Sequence, residues 1–470
     1  MGDNNQDDKF EVGDYHEFNQ NLALEIEDLR SHVKDNKLCQ DGTSIGLELE
    51  AWIADSSYRP APQNAWLLKS LGHEQVVPEL SKFNIEINSK VQRDLNHSLG
   101  NLEKELCELS ELCNQTSLKK DCRVLFIGSL NTLSRDDLEL HSMTESDRYA
   151  LLNHQIMKHD NYRERVFSIR GKEELNFSTD HIMPVSATTS LQTHFKVPYS
   201  EFQKVYNASF YAAAPLVAVS ANSPFLFGKE LWYESRIPVF EQSMRFNPEK
   251  SSRVSLGYGY LDGDICEYFS NNQEEHDIFF PMKESFKPGS FYHNRLHGGT
   301  IWHWNRIIVE KSQDRDNYHA RVEFRPCSAG PSMKDTIANT AFYLGLAYGL
   351  AKNFELEETT PFHNVEANFY QSARHSFQSR LRWIDGKYYN ADRLILDKLL
   401  VIAEQGLAQL GIDDKEAKSY LSMIEARASS QKNGAYWQKE FVQTHGKDFS
   451  KMLDSYWNQQ TENKPVHLWD

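Results

Sequence analysis

A two-residue alternation of apolar and acidic side chains restricts the fold of this chain more than any other feature. In TSIGLELEAWIAD, residues 43–55, Ile45, Leu47, Leu49 and Ala51 alternate with Gly46, Glu48 and Glu50. Successive side chains of a strand point to opposite faces, so the apolar set shares one side and the two glutamates share the other. Glutamate is depleted in strands, so an acidic face needs a reason. The design returns three times. Phe83, Ile85 and Ile87 alternate with Asn84, Glu86 and Asn88; Leu191, Thr193, Phe195 and Val197 with Gln192, His194 and Lys196; Ala320, Val322 and Phe324 with Arg321, Glu323 and Arg325. If the four strands share one sheet and one packed face, the opposite face collects Glu48, Glu50, Glu86, Gln192, His194, Glu323 and Arg325.

Carboxylates gathered this way repel one another unless a positive group sits among them. Hard divalent cations, Mg²⁺ or Mn²⁺, take oxygen ligands of this kind, and arginines on the same face suit phosphate or carboxylate oxygens. Metal plus arginine on one face points to phosphoryl transfer. The same alternation is also what a water-washed antiparallel sheet displays, and patterning leaves both readings open.

The rest of the chain sets bounds. At 470 residues, with 40% hydrophobic and 12% aromatic residues, it buries a sizeable core, as two lobes or one large elaborated domain. A formal net charge of −16 argues against a nucleic-acid or anionic-membrane surface. Six cysteines (39, 107, 113, 122, 266 and 327) show no metal-like spacing, as expected for free thiols in a reducing compartment. The acidic, polar start lacks a signal-peptide core, and no apolar run reaches the ~18 residues of a membrane span. A cytoplasmic protein is expected, possible homo-oligomerisation being left open.

The layout is α+β. We expect a flexible tail over 1–14, an amphipathic helix over 16–35, the acidic strand, a second alternating strand, a charged helix over 90–116 and a short strand at 123–130. An apolar helix at 200–220 ends in SANSPF. The Gly-, Asn- and aromatic-rich 250–300 region reads as loops around a site, and TIWHWNRIIVE with HARVEFRP as an antiparallel pair. Helices are expected at 332–353, 363–384, 393–410, 415–429 and 434–458.

Several of these stretches resemble one family. GLELE (46–50), PELSKFNIEIN (78–88), SANSPF (220–225), YESR (233–236), IWHWNR (301–306) and RVEFR (321–325) are together similar to the glutamate–cysteine ligase family 2, ATP-dependent carboxylate–amine ligases related in fold to glutamine synthetase. The resemblance runs from about residue 44 to about 375. It departs at Gln192, where the family's usual run has His, and at IWHWNR, which lacks the common Asp before the Arg. The 250–300 segment and the helices after 385 lie outside it.

The resemblance implies a curved antiparallel sheet with flanking helices and a helical C-terminal third: a catalytic domain over 15–385 and a packed extension over 386–470. It implies one Mg²⁺ on Glu50, Glu79 and Glu86, and another on Glu48, Gln192 and Glu323, with His194 supporting either. Arg236, Arg306 and Arg325 would clamp phosphate or carboxylate, with Arg236, Arg325 and His194 facing the nucleotide. Asn222 reads as a turn former, and Arg374 as a more distant match. The implied reaction transfers the γ-phosphate of ATP to a small acid such as glutamate, giving an acyl phosphate that an amine such as cysteine attacks. A ligase for a different acid, amine or peptide, or a non-catalytic nucleotide-binding relative, are the alternatives.

Overall fold

A computed structural model describes residues 10–245, 251–311, 318–356 and 360–470. Seven strands form the principal sheet: β1 (Ser44–Ala54), β2 (Val76–Pro78), β3 (Asn84–Asn88), β4 (Arg123–Leu125), β5 (Ser190–Lys196), β6 (Asn305–Lys311) and β7 (Tyr318–Ser328). Their order is β6-β7-β5-β1-β3-β2, and every pairing is antiparallel. Trp52 faces both Asn84 and Leu125, so β4 continues the edge of β1 that β5 leaves. The sheet curls into a half-barrel.

The register carries the function-bearing rows. Glu50 lies opposite Glu86, Glu48 opposite Gln192, and Gly46 opposite His194, which faces Glu323, which faces Arg306. The four alternating segments therefore do share one face. On the other face Leu47, Leu49, Ile85, Ile87, Phe195, Val322 and Phe324 are buried, each full burial contributing roughly 1.5–3 kcal/mol.

The helices that matter are, in chain order, α1 (Val12–Lys34), α2 (Ser98–Ser117), α3 (Asp147–His159), α4 (Tyr199–Ser220), α5 (Arg236–Ser243), α6 (Cys266–Glu275), α7 (Tyr292–Gly298), α8 (Met333–Asn353), α9 (Phe362–His375), α10 (Leu400–Gln409), α11 (Asp414–Ser430), α12 (Gly434–His445) and α13 (Phe449–Thr461). The long apolar helices α4 and α8 cover the packed face. Tyr343 of α8 stacks on Phe324, with ring centroids 3.9 Å apart, and meets Phe195 edge-on at 6.3 Å.

Several boundaries differ from expectation for identifiable reasons. Of the expected 1–14 tail, residues 1–9 lie outside the described residues. The helix already starts at Val12, where the Glu11 N–H donates to Asp14 Oδ2 at 2.9 Å and caps the first turn. The charged helix begins at Ser98 rather than 90, because Gln92 pairs as a bridge with Ile45. The strand expected over 123–130 ends at Leu125; Phe126 donates its N–H to a side chain, Gln460 Oε1, at 2.8 Å. The helix expected over 363–384 stops at His375, where Ser376 takes φ +50°, and a hairpin of Arg380–Arg382 with Tyr388–Asn390 follows. The helix expected over 434–458 is two, broken at Gly446, which has φ +80°.

One continuous buried apolar cluster runs from Leu22 to Trp469. The C-terminal helices and the segment after them contribute Ile424, Leu453 and Trp469, among others, to it. Arg427 of α11 is fully buried beside Asp335, Asn339 and the Val219 carbonyl.

Candidate active site

The polar face of the sheet floors a cavity of about 1010 Å³. Its walls come from α3, α5, α6, α7 and the connections around them. The acidic half of the floor is built by three elements. Glu50 projects from β1 and Glu86 from the facing position of β3, while Glu79 follows the last residue of β2. One carboxylate oxygen from each of Glu50, Glu79 and Glu86 lies within 4.8 Å of the other two.

Glu50 is partly satisfied: Ser190 N–H donates to Oε2 at 2.7 Å and Gln192 Nε2 to Oε1 at 3.1 Å. Glu86 receives Asn88 Nδ2 at 3.0 Å, and Glu79 the Leu80 N–H at 3.1 Å. Burial and the charges of Glu48, Glu79 and Glu50 push the Glu86 carboxyl well above the usual range. Burial and the Glu50 charge push Glu79 up to about 7. Burial raises Glu50 too, against the opposing charge of Arg325. Three carboxyls that resist ionisation together form a site short of positive charge.

The other half of the floor has the reverse balance. Glu323, 1% exposed, receives Arg306 Nη2 on Oε2 and Arg325 Nη1 on Oε1, each at 2.7 Å. Burial opposes its ionisation, but the two guanidiniums outweigh it and hold the carboxyl well below the usual range. Arg325 also bonds Gln192 Oε1, linking the two halves. Nε of Arg306 and Nε of Arg325 are buried with no hydrogen-bond partner among the described residues. Glu48 sits between the halves, Oε1 2.9 Å from His194 Nε2. Burial opposes its ionisation as well, and His194 overcomes that and lowers it.

The structure thus brings Glu48, Glu50, Glu79, Glu86, Gln192, His194, Arg236, Arg306, Glu323 and Arg325 to one cavity. Arg236 is the most committed of the arginines. Its Nε lies 3.2 Å from Glu234 Oε1, its Nη2 bonds the carbonyls of Arg325 and Pro326, and its guanidinium lies over the Trp304 ring. Asn222 shapes the fold: fully buried, it donates to the Ala329 carbonyl and the Tyr456 hydroxyl at 2.8 Å and accepts from Gln438. Arg374 stacks on Trp232 and does not line the cavity.

Sequence reasoning missed other lining residues. Arg148 and Tyr149 of α3 reach the cavity, as do Asn294 and Arg295 of α7 and Tyr268 of α6. The side chains of Arg148 and Arg295 make no hydrogen bond or ion pair among the described residues. Nothing in local spacing marks these positions. Arg321 was visible as a polar-face residue, but its partners were not.

Cations for anionic substrates beside an acidic cage are the equipment of an ATP-dependent carboxylate–amine ligase, and the protein is an enzyme of that class. Within it, the chain belongs to the glutamate–cysteine ligase family 2, whose sequence profile matches residues 44–460. That span reaches well past residue 375, so the 250–300 segment and most of the C-terminal helices fall inside the family match, contrary to expectation. No curated protein matches the sequence. Among solved structures, the chain resembles a glutamate–cysteine ligase from Francisella tularensis in complex with AMP. Identity is 11% and the TM-score 0.53, over 90% of this chain and 89% of that one. A bifunctional glutathione synthetase from Pasteurella multocida aligns at 12% identity and TM-score 0.49, over 93% of this chain and 55% of that one.

Proposed function

We propose that the protein uses ATP to activate the γ-carboxylate of glutamate, or of a similar small acid, as an acyl phosphate, and joins it to an amine such as cysteine. The carrying observation is the convergence of Glu50, Glu79 and Glu86 oxygens within 4.8 Å, in the cavity that also holds the Arg306–Glu323–Arg325 cluster.

The acidic trio fits a divalent cation. It offers hard oxygen donors, burial and neighbouring carboxylates raise Glu79 and Glu86, and among the described residues no side-chain cation is bonded to the trio except through Gln192. Glu50, Glu79 and Glu86 would hold Mg²⁺, or Mn²⁺, which when bound offsets charge on the reacting oxygens. Glu48, Gln192 and Glu323 fit a second ion only if Arg306 and Arg325 give up part of their hold on Glu323. In the reaction, a substrate carboxylate oxygen bonds the γ-phosphorus of ATP and the bond to ADP breaks. The amine nitrogen then bonds the acyl carbon, loses a proton, and phosphate leaves. Arg306 and Arg325, which line the cavity, orient and neutralise anionic oxygens before and during these steps. The AMP bound by the Francisella tularensis ligase supports a nucleotide in this cavity.

The test is a panel of amines offered with Mg²⁺, ATP and glutamate, read as ADP and phosphate release. Absence of turnover with every amine, in protein shown to bind Mg-ATP, would refute the proposal. A second reading, a different acid or a peptide end as substrate, is favoured by the wall that α6 and α7 add to the cavity; product mass spectrometry from a metabolite pool separates the two. We also place the reaction in the reducing cytoplasm, which the six free cysteines support. Among the described residues, no helix is long and apolar enough to cross a membrane.

A further inference from the structure

We propose that Arg321 is a positioning residue: it fixes His194 as the tautomer with its proton on Nε2, making the imidazole a hydrogen-bond donor toward Glu48 and removing it from the metal ligands. The inference deepens the ligase reading and rests on it.

The observation is a relay across four neighbouring strands. Glu310 of β6 receives Arg321 Nη1 at 2.7 Å. Arg321, on β7, directs Nε at Nδ1 of His194 on β5, at 3.1 Å. His194 Nε2 lies 2.9 Å from Oε1 of Glu48 on β1. His319 Nε2, 3.3 Å from Arg321 Nη1, braces the guanidinium further.

The direction of this relay is not ambiguous at Arg321. A guanidinium has five donors, no acceptor, and stays protonated in proteins. The His194 nitrogen that faces it must therefore offer a lone pair, so Nδ1 carries no hydrogen. In the neutral ring the proton then sits on Nε2. A histidine that binds a metal through Nε2 needs its lone pair there and usually donates its Nδ1 proton to a neighbouring acceptor. The neighbour here is a donor, which is the opposite arrangement.

Nε2 is buried and lies 2.9 Å from Glu48 Oε1, within ion-pair distance though not aligned as a full hydrogen bond. Its proton is directed at Glu48, whose carboxylate lines the cavity beside it. The charged groups around the ring are Arg321 and Glu48 in contact and Glu323 across the strand pair. They favour an imidazole that donates toward the acids and accepts from the guanidinium. This role stands in place of the metal-shell support that resemblance implies for His194.

Full-length protein labelled with ¹⁵N-histidine tests the assignment directly. The His194 signals are identified by their loss in His194→Gln, and two-bond ¹⁵N–¹H correlations report which ring nitrogen is protonated. We expect the Nε2–H pattern, retained on adding Mg²⁺. A proton on Nδ1, or loss of the Nε2 proton when Mg²⁺ is added, overturns the proposal. In Arg321→Met the two tautomers should mix, and kcat for phosphate release should fall on the order of 10- to 100-fold with KM for glutamate little changed. Arg321→Lys, which keeps a charged donor, should recover part of the loss. An unchanged His194 pattern in Arg321→Met would also overturn it. Should that variant fail to fold, the wild-type spectrum alone decides. Failure of the ligase reading looks different: wild-type protein with the Nε2–H pattern and no phosphate release.

Discussion

Glu79 and Glu86 hold protons that the same side chains would surrender in an unfolded chain, and this links the cavity to pH. Burial and neighbouring carboxylates lift Glu79 from its ordinary 4.5 to about 7 and Glu86 well above the usual range. A carboxyl raised on folding stabilises the fold below its unfolded value and loses that contribution as pH rises through the folded value. Histidines that burial holds below their ordinary 6.5 oppose this at lower pH, so without metal the melting temperature should decline as pH rises from about 6.5 to about 8. A cation on the trio must displace these protons, so Mg²⁺ affinity should rise over the same window, and saturating Mg²⁺ should cancel the decline. Thermal unfolding with and without Mg²⁺ checks both; a metal-free melting temperature that climbs toward pH 8 contradicts the assignment. Glu79→Gln separates function from stability. It removes a repelling charge and should stabilise the metal-free protein at about pH 8 by on the order of 1–3 kcal/mol, while weakening Mg²⁺ binding.

At the scale of elements, α8 and α10 cross so closely that side chains are excluded from the contact. A Cβ on Gly345 would meet the Ala403 carbonyl, one on Gly349 the Ile402 carbonyl, and one on Gly406 the backbone of Gly345. Gly406→Ala should cost about 3 kcal/mol or more, read as a lower urea midpoint, whereas an exposed alanine would be neutral. The crossing was invisible in sequence, where both segments read simply as apolar helices. The alternating strands were legible because a two-residue period states which side chains share a face, and Glu48, Gln192 and Glu323 duly line one cavity. What alternation does not state is who pairs with whom. The row of Gly46, His194, Glu323 and Arg306 comes from the order β6-β7-β5-β1, set by connections of very different length. Glu79 lies outside the strand pattern altogether, and only resemblance placed it. The missed breaks at Ser376 and Gly446 are single residues with positive φ inside stretches whose periodicity continues on either side.

For the whole molecule, the question is whether the helical C-terminal third is an addition to the catalytic sheet or a part of it. Gln460 of α13 settles in the place a neighbouring strand would occupy beside β4: Oε1 accepts the Phe126 N–H at 2.8 Å and Nε2 donates to the Val124 carbonyl at 3.0 Å. Tyr456 donates to the Phe126 carbonyl at 2.7 Å and receives Asn222, while Trp469 packs edge-on against Trp437 and Tyr456. Buried backbone groups left without these partners would each cost roughly 1–3 kcal/mol, so β4 depends on a helix more than 300 residues away in sequence. The sheet and the C-terminal third should consequently unfold in one transition. Fluorotryptophan labelling offers a reporter on each side, Trp52 in β1 and Trp437 or Trp469 at the far end, all fully or almost fully buried. Their signals should vanish together along a urea titration, and Gln460→Ala should shift both midpoints down equally, by about 2–4 kcal/mol in stability. If Trp437 and Trp469 melted before Trp52, with Mg²⁺ still bound at the acidic trio, the C-terminal helices would be a separable extension and the site would stand without them.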